Sequence, residues 1–151
     1  MTNTVVDTLA RTLWGEARGC GAAGMKNVAS VILNRAANPS WWGASIVSVC
    51  TAPYQFSCRN MNDPNRAKML AVTMADPEFA VATRIADLAV SGALPDATGG
   101  ADSYYALSMH NPPSWAATAR RTYADGWHAF FITRNGLRQS VPNHSVIGAA
   151  K

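Results

Sequence analysis

The sequence predicts a mainly helical α+β domain with a small β element in its second half. Three observations predict it. From Val5 to Ala89, apolar residues recur at helical spacing. The pair Asp-Pro occurs at 63–64 and again at 76–77, each a capping acid followed by proline at the first helical position. Beyond Gly92 the pattern changes to aromatic runs around Asp125-Gly126, a two-residue turn signal. The chain has 151 residues, 48% hydrophobic and 15% charged, which suits one domain over 1–151 with one core.

Thr4 is placed as the cap of a first helix, with Asp7 in its first turn, where negative charge is favoured. Val5, Val6, Leu9 and Leu13 share one face, and Gly15 and Gly19 bracket the end. A second helix is expected from about Ala22 to Ala37, burying Met25, Val28, Ile32 and Leu33. Asn38-Pro39 ends it, because the residue before proline avoids helical geometry. Trp41-Trp42-Gly43 begins a loop. Ser45 starts a short helix through Ile46, Val47 and Val49, which Pro53 breaks. Residues Thr51 to Asn62 read as irregular.

Asp63-Pro64 opens the next helix. Asp76-Pro77-Glu78 opens another that reaches about Ser91, turning Phe79, Ala82, Ile85, Ala86 and Ala89 inward, and Gly92 ends it. Pro95 to Gly100 is turn material. Ser103 to Leu107 reads as a strand. Asn111-Pro112-Pro113 is a rigid loop, and Ser114 caps a short helix from Trp115 to Arg121. Thr122 to Thr133 reads as a hairpin with a two-residue turn. The tail Asn135–Lys151 is polar and unassigned. No repeat, low-complexity segment or linker divides the chain. The layout is that of a lysozyme-like domain, among others.

A formal net charge of +4 favours anionic partners such as nucleic acid, membrane surface or cell wall, without choosing among them. The cations are scattered: Arg120-Arg121 is the densest pair, with Arg134, Arg138 and Lys151 spread beyond it. A nucleic-acid binder concentrates its charge on one element, so no nucleic-acid partner is expected. No apolar run approaches the length of a membrane span, and no signal-peptide pattern opens the chain. Synthesis in the cytosol without a leader is the expectation, with any work outside depending on another exit route.

Cys20, Cys50 and Cys58 are an odd set. Either Cys50 and Cys58 pair across a short loop in an oxidising compartment, or all three are thiols. A Cys–His nucleophile using Cys20 with His110, His128 or His144 is a further reading. No His, Cys and Asp spacing matches a zinc site, and no cofactor is expected.

The chain has two glutamates. Glu78 is accounted for by the first turn of its helix. Glu16 sits near a helix C-terminus, where the macrodipole disfavours an anion by about 0.3–1 kcal/mol. Small neighbours, Gly15 and Ala17, leave room for a ligand, and Trp14 lowers the local polarity. Spacing alone leaves two readings open. Glu16 is a surface partner of Arg11 or Arg18, or a carboxyl whose pKa is raised by about two units, usable as a general acid.

The stretch Leu13-Trp14-Gly15-Glu16-Ala17-Arg18-Gly19 resembles a signature of the SleB-like cell wall hydrolases, the spore-cortex-lytic enzyme family. So do Val28 to Arg35 and Gln55-Phe56-Ser57. Thr98-Gly99-Gly100-Ala101 with Tyr104 resembles the family's second-half motif, and Pro113, Trp115, Gly126, His128 and Phe130 its closing elements. The ordered match covers about residues 9 to 132. The resemblance implies a lysozyme-like domain cutting between N-acetylmuramic acid and N-acetylglucosamine in peptidoglycan, with Glu16 as the catalytic carboxyl. A second acid common in the family is replaced here by Cys20.

Two-carboxyl glycosidases place their acids ~5–9.5 Å apart. Asp63, Asp96 and Asp102 are the candidate partners; Asp63 reads as a cap, Asp96 as a turn residue, and Asp102 as the best of the three. A lytic transglycosylase needs one carboxyl only, giving 1,6-anhydromuramic ends, and that is the favoured route. Gln55 and Ser57 are candidates to hold N-acetyl and hydroxyl groups, with Phe56 either beside them or in the core. Tyr104 is a candidate to bond near Glu16 or to stack on a sugar. Trp41, Trp42 and Trp115 are candidate sugar platforms.

The rivals are a hydrolytic muramidase, a zinc-dependent wall amidase or peptidase using His110, Asp125 and His128, a non-catalytic wall-binding module and a nucleic-acid binder. The expected setting is a monomeric phage endolysin. It would be made in the host cytoplasm and reach the wall once another protein permeabilises the membrane.

Overall fold

The computed structural model describes residues 3–134. The tail from 135, with Arg138, His144 and Lys151, lies outside them. Five helices precede a small sheet: α1 (Thr4–Ala17), α2 (Gly21–Ala37), α3 (Ile46–Thr51), α4 (Pro64–Ala71) and α5 (Pro77–Val90), then β1 (Ser103–Ala106), β2 (Arg120–Ala124) and β3 (His128–Ile132). The predicted class, mainly helical α+β with the β element in the second half, is the one observed.

Side-chain caps set the helix starts. Asn3, rather than Thr4, caps α1, its Oδ1 accepting from Val5 N at 3.0 Å and Val6 N at 3.2 Å. The shorter, doubly accepting amide takes the cap, and Thr4 becomes the first helical residue. Ser45 and Ser48 form a reciprocal capping box on α3. Asp63 and Asp76 cap α4 and α5, each followed by proline. Gly92 follows α5 with φ of 80°, the left-handed stop that glycine favours.

α1 is the hub. It packs against α2, α3, α4 and α5, with Leu9, Ala10, Leu13 and Ala17 wholly buried. The inward face of α5 is the predicted one, Phe79, Ala82, Ile85, Ala86 and Ala89. No helix among the described residues is long and apolar enough to cross a membrane.

The sheet is antiparallel with order β1-β3-β2. β3 lies in the centre and is buried throughout. Tyr104 stands opposite Phe130, and Ala106 opposite His128. Two sequence expectations fail here. Residues 115–121 are not a helix: a 3₁₀ turn covers only Ser114–Ala117, and β2 starts at Arg120. Pairing with β3 claims Arg120 and Arg121, opposite Ile132 and Phe131, and overrides their helical tendency. The hairpin loop is also three residues rather than two, Asp125 to Trp127. The Asp125 carboxylate accepts from Trp127 N at 2.8 Å and His128 N at 2.7 Å, closing the loop as an Asx-turn.

Candidate active site

Glu16 is in the last turn of α1 and has no exposed surface. The surface reading of this residue fails. Arg11 pairs with Asp7 at 2.9 Å and caps carbonyls at Met69, Leu70 and Val72. Arg18 bonds Trp14 O and Asn65 Oδ1 and lies 4.1 Å from the Trp14 ring. Neither guanidinium serves Glu16.

Its partners come from far along the chain. The Tyr104 hydroxyl donates to Oε1 at 3.0 Å. The Cys58 backbone N–H reaches Oε2 at 3.4 Å, a long contact. Burial dominates and raises the carboxyl from 4.5 to about 7. The bonds from Tyr104 and Cys58 pull against that rise, and the charge of Asp63 adds a small upward push. Near neutral pH the group therefore divides between its acid and base forms, the range in which a carboxyl can serve as general acid or base.

Local structure places each partner. Tyr104 is held on β1 by pairing with β3, its ring 4.9 Å from His128 in an edge contact and 5.7 Å from Phe130. Burial and the Glu16 charge push its hydroxyl well above the usual range, so it stays a donor. Cys58 lies in the 3₁₀ turn Ser57–Arg59. Arg59 pins that turn to α1 through Thr12 Oγ1 at 2.8 Å and Thr8 O at 2.9 Å. Gly15 admits it: a Cβ at 15 would stand 2.7 Å from Cys58 Sγ. Burial, then the Glu16 charge, holds the Cys58 thiol far above its ordinary range.

The other expected site residues divide. Gln55 is buried, its Oε1 accepting from Arg35 Nη1 at 3.3 Å, so its carbonyl oxygen is engaged inside the protein. Phe56 is in the core, the second of the two readings open for its ring, so the ring itself does not meet a ligand. Ser57 is half-buried at the start of the Cys58 turn. Trp115 packs edge-on against Phe131 at 5.3 Å and near Tyr105. Those residues alternate with Tyr104 and Phe130, so Trp115 lies on the opposite face of the sheet from Glu16. Trp42 is wholly buried and donates to Arg35 O and Asn38 O, and Trp41 is half-buried beside it, 5.4 Å away. Alternation along the chain lets only one of this pair face outward, and Trp42 is the one turned into the core.

The partner acids are otherwise engaged. Asp102 accepts from Ser103 Oγ, Thr133 N and Oγ1, Arg134 N and Arg134 Nη1. It ties the end of β3 to the start of β1 and has no oxygen to offer a water. Asp96 accepts from Thr98, Gly100 and Asn34, the turn role expected of it. Asp63 caps α4 with Oδ1 on Asn65 N at 2.7 Å.

The cysteines are unpaired, so the Cys50–Cys58 disulfide is not formed. Burial and then Asp125 raise the Cys20 thiol, the opposite of a nucleophile's requirement. His110 is exposed, and Asp125 is occupied by the hairpin turn. Among the described residues, no three His, Cys, Asp or Glu side chains form a group able to hold a metal ion.

Two participants escaped sequence reasoning. The Cys58 N–H has no residue signature, because any amide at that turn would serve. Arg35 closes the Val28–Arg35 motif, wholly buried, bonding Asp102 O at 2.6 Å, Gln55 Oε1 and Ser103 Oγ, with the Trp42 ring 4.8 Å away. Burial draws its pKa down to about 10. It locks β1 and the Gln55 segment to α2. An Arg inside a helical apolar stripe was the available signal.

The chain's fold is similar to that of the catalytic domain of the germination-specific lytic transglycosylase SleB from Bacillus anthracis. The TM-score is 0.67 at 23% identity, over 87% of this chain and 96% of that one. No curated protein sequence matches significantly. The model of the cell wall hydrolase family matches residues 19–131. That span holds Arg35, Cys58, Tyr104 and all of the sheet but its last residue, Ile132, and begins three residues after Glu16. The match covers well over half of the chain, and the protein belongs to the cell wall hydrolase family.

Proposed function

We propose that this protein cuts the glycan strands of peptidoglycan between N-acetylmuramic acid and N-acetylglucosamine, as a lytic transglycosylase with Glu16 as its single acid and base. The observation that carries the reading is the buried carboxyl, raised to about 7 and bonded to Tyr104. The spent state of Asp102 and Asp96 supports one carboxyl rather than two. So does the name of the structural relative, a lytic transglycosylase domain.

The steps follow from the geometry. Tyr104 O–H occupies Oε1, and the longer contact leaves Oε2 the freer oxygen. Protonated Glu16 gives its proton to the glycosidic oxygen, and the C1–O bond breaks as the N-acetylglucosamine hydroxyl leaves. The carboxylate then takes the proton of the muramic acid 6-hydroxyl as that oxygen bonds C1. The product is a 1,6-anhydro end, and Glu16 is again protonated. Because the carboxyl is enclosed, binding of the strand must part the residues over it before the glycosidic oxygen comes within about 3 Å.

Digestion of purified sacculi with mass spectrometry of the fragments tests this. Anhydromuramic ends are expected. Reducing muramic ends would establish hydrolysis instead, for which Asp63 is the carboxylate whose charge reaches Glu16. Cleaved amides on intact glycan would overturn the glycosidic reading. An endolysin setting belongs to the same proposal. Lysis of a producing cell only when a membrane pore is co-expressed supports it, and lysis without one counts against it.

A further inference from the structure

Tyr54 has φ of 63° and is the one non-glycine residue at positive φ among the described residues. Left-handed backbone crowds Cβ against the following carbonyl, so glycine or asparagine is favoured there and a bulky ring is an outlier. Core packing does not account for the ring, which is 74% exposed. Strained residues of this kind cluster at ligand clamps.

Beside Tyr54 lies a depression of about 400 Å³, lined by Pro53, Tyr54, Arg59, Asn60, Met61 and Asn62. Its chemistry is that of a carbohydrate site. An aromatic ring and the exposed Met61 thioether offer apolar contact to a pyranose face. The Asn60 and Asn62 carboxamides each offer donor and acceptor to hydroxyl and N-acetyl groups. The guanidinium of Arg59 is already committed to Thr8 and Thr12, so the lining suits a neutral ring rather than an anion.

The depression adjoins Glu16 through one turn of chain. Arg59 lines it and closes the Ser57–Arg59 turn, which presents Cys58 N–H to the carboxyl. Arg59 grips Thr12, one helical turn and about 6 Å along α1 from Glu16.

We infer that this depression is a glycan subsite for an N-acetylhexosamine ring away from the bond being cut, with Tyr54 as its stacking platform. The inference rests on the glycan substrate proposed above. Tyr54→Asn tests it, because asparagine tolerates the left-handed backbone and removes the ring. On purified sacculi, KM should rise about three- to tenfold with kcat little changed, the range a lost aromatic contact produces.

In a Glu16→Gln background, co-sedimentation with sacculi should weaken by a similar factor, while Tm holds or rises. Tyr54→Phe should recover most of the loss. Unchanged KM and sedimentation in Tyr54→Asn would overturn the subsite, and failure of Tyr54→Phe to recover would overturn stacking. If the native protein releases no glycan fragments, the catalytic reading fails by itself, and sedimentation still judges the subsite.

Discussion

The Tyr104 hydroxyl donates to Glu16 Oε1 at 3.0 Å across 88 positions of sequence. This bond does two things. It fixes one oxygen of the carboxyl as an acceptor, and it favours the ionised form against the burial that raises the pKa.

Tyr104→Phe therefore has a directional consequence. The acid form of Glu16 is the one that starts the reaction, so activity should fall as pH rises through about 7 in the native protein. Without the hydroxyl the carboxyl rises further, and the alkaline limb should move to higher pH. The rate at the optimum should drop about tenfold or more, the scale of a hydrogen bond to a charged group. A pH profile of sacculus clearance checks both; a limb that stays in place shows that Tyr104 does not tune Glu16.

Glu16→Gln should separate catalysis from stability. A carboxyl at about 7 in the folded state and 4.5 ordinarily leaves the unfolded chain binding fewer protons between those values. Its stabilising contribution is complete below about pH 4.5 and is lost as pH rises through 7, at most about 3 kcal/mol for a shift of this size. Glutamine has no such loss. Thermal unfolding at pH 4 and pH 8 should show the variant gaining relative to the native protein at the higher pH, while sacculus cleavage is abolished.

Gly15→Ala probes how the Cys58 turn reaches Glu16. The added Cβ would meet Cys58 Sγ at 2.7 Å and Cβ at 2.8 Å, and Cys58 is itself wholly buried. Overpacking of this kind costs about 1–3 kcal/mol. Urea unfolding should report that loss. Activity should fall beyond the loss of folded protein, because the turn carrying the Cys58 N–H is displaced.

Arg35→Lys should behave as a structural lesion. A lysine ammonium cannot reproduce a planar fork that reaches Asp102 O, Gln55 and Ser103 while lying beside the Trp42 ring. Leaving buried acceptors short of donors costs about 1–3 kcal/mol. The urea midpoint should fall, with the alkaline limb of the activity profile unmoved because Arg35 does not touch Glu16.

The sequence by itself determined the helices, their order and most of their ends, because caps, Asp-Pro starts and the inward stripe of α5 are local chemistry read within a turn or two. It also marked Glu16, as a carboxylate at a helix end that local charge does not justify, and it put Tyr104 among the candidates. Only the tertiary structure decided the environment that makes Glu16 an acid. Its burial, the Tyr104 donor and the Cys58 amide come from segments 88 and 42 positions away. Periodicity carries no information at that range. The same holds for Asp102 and Trp42, whose residue types promised a site and whose burial and bonds placed them in the framework instead. For a carboxyl or an aromatic ring, function turns on solvent and partners, and those are properties of the packed chain.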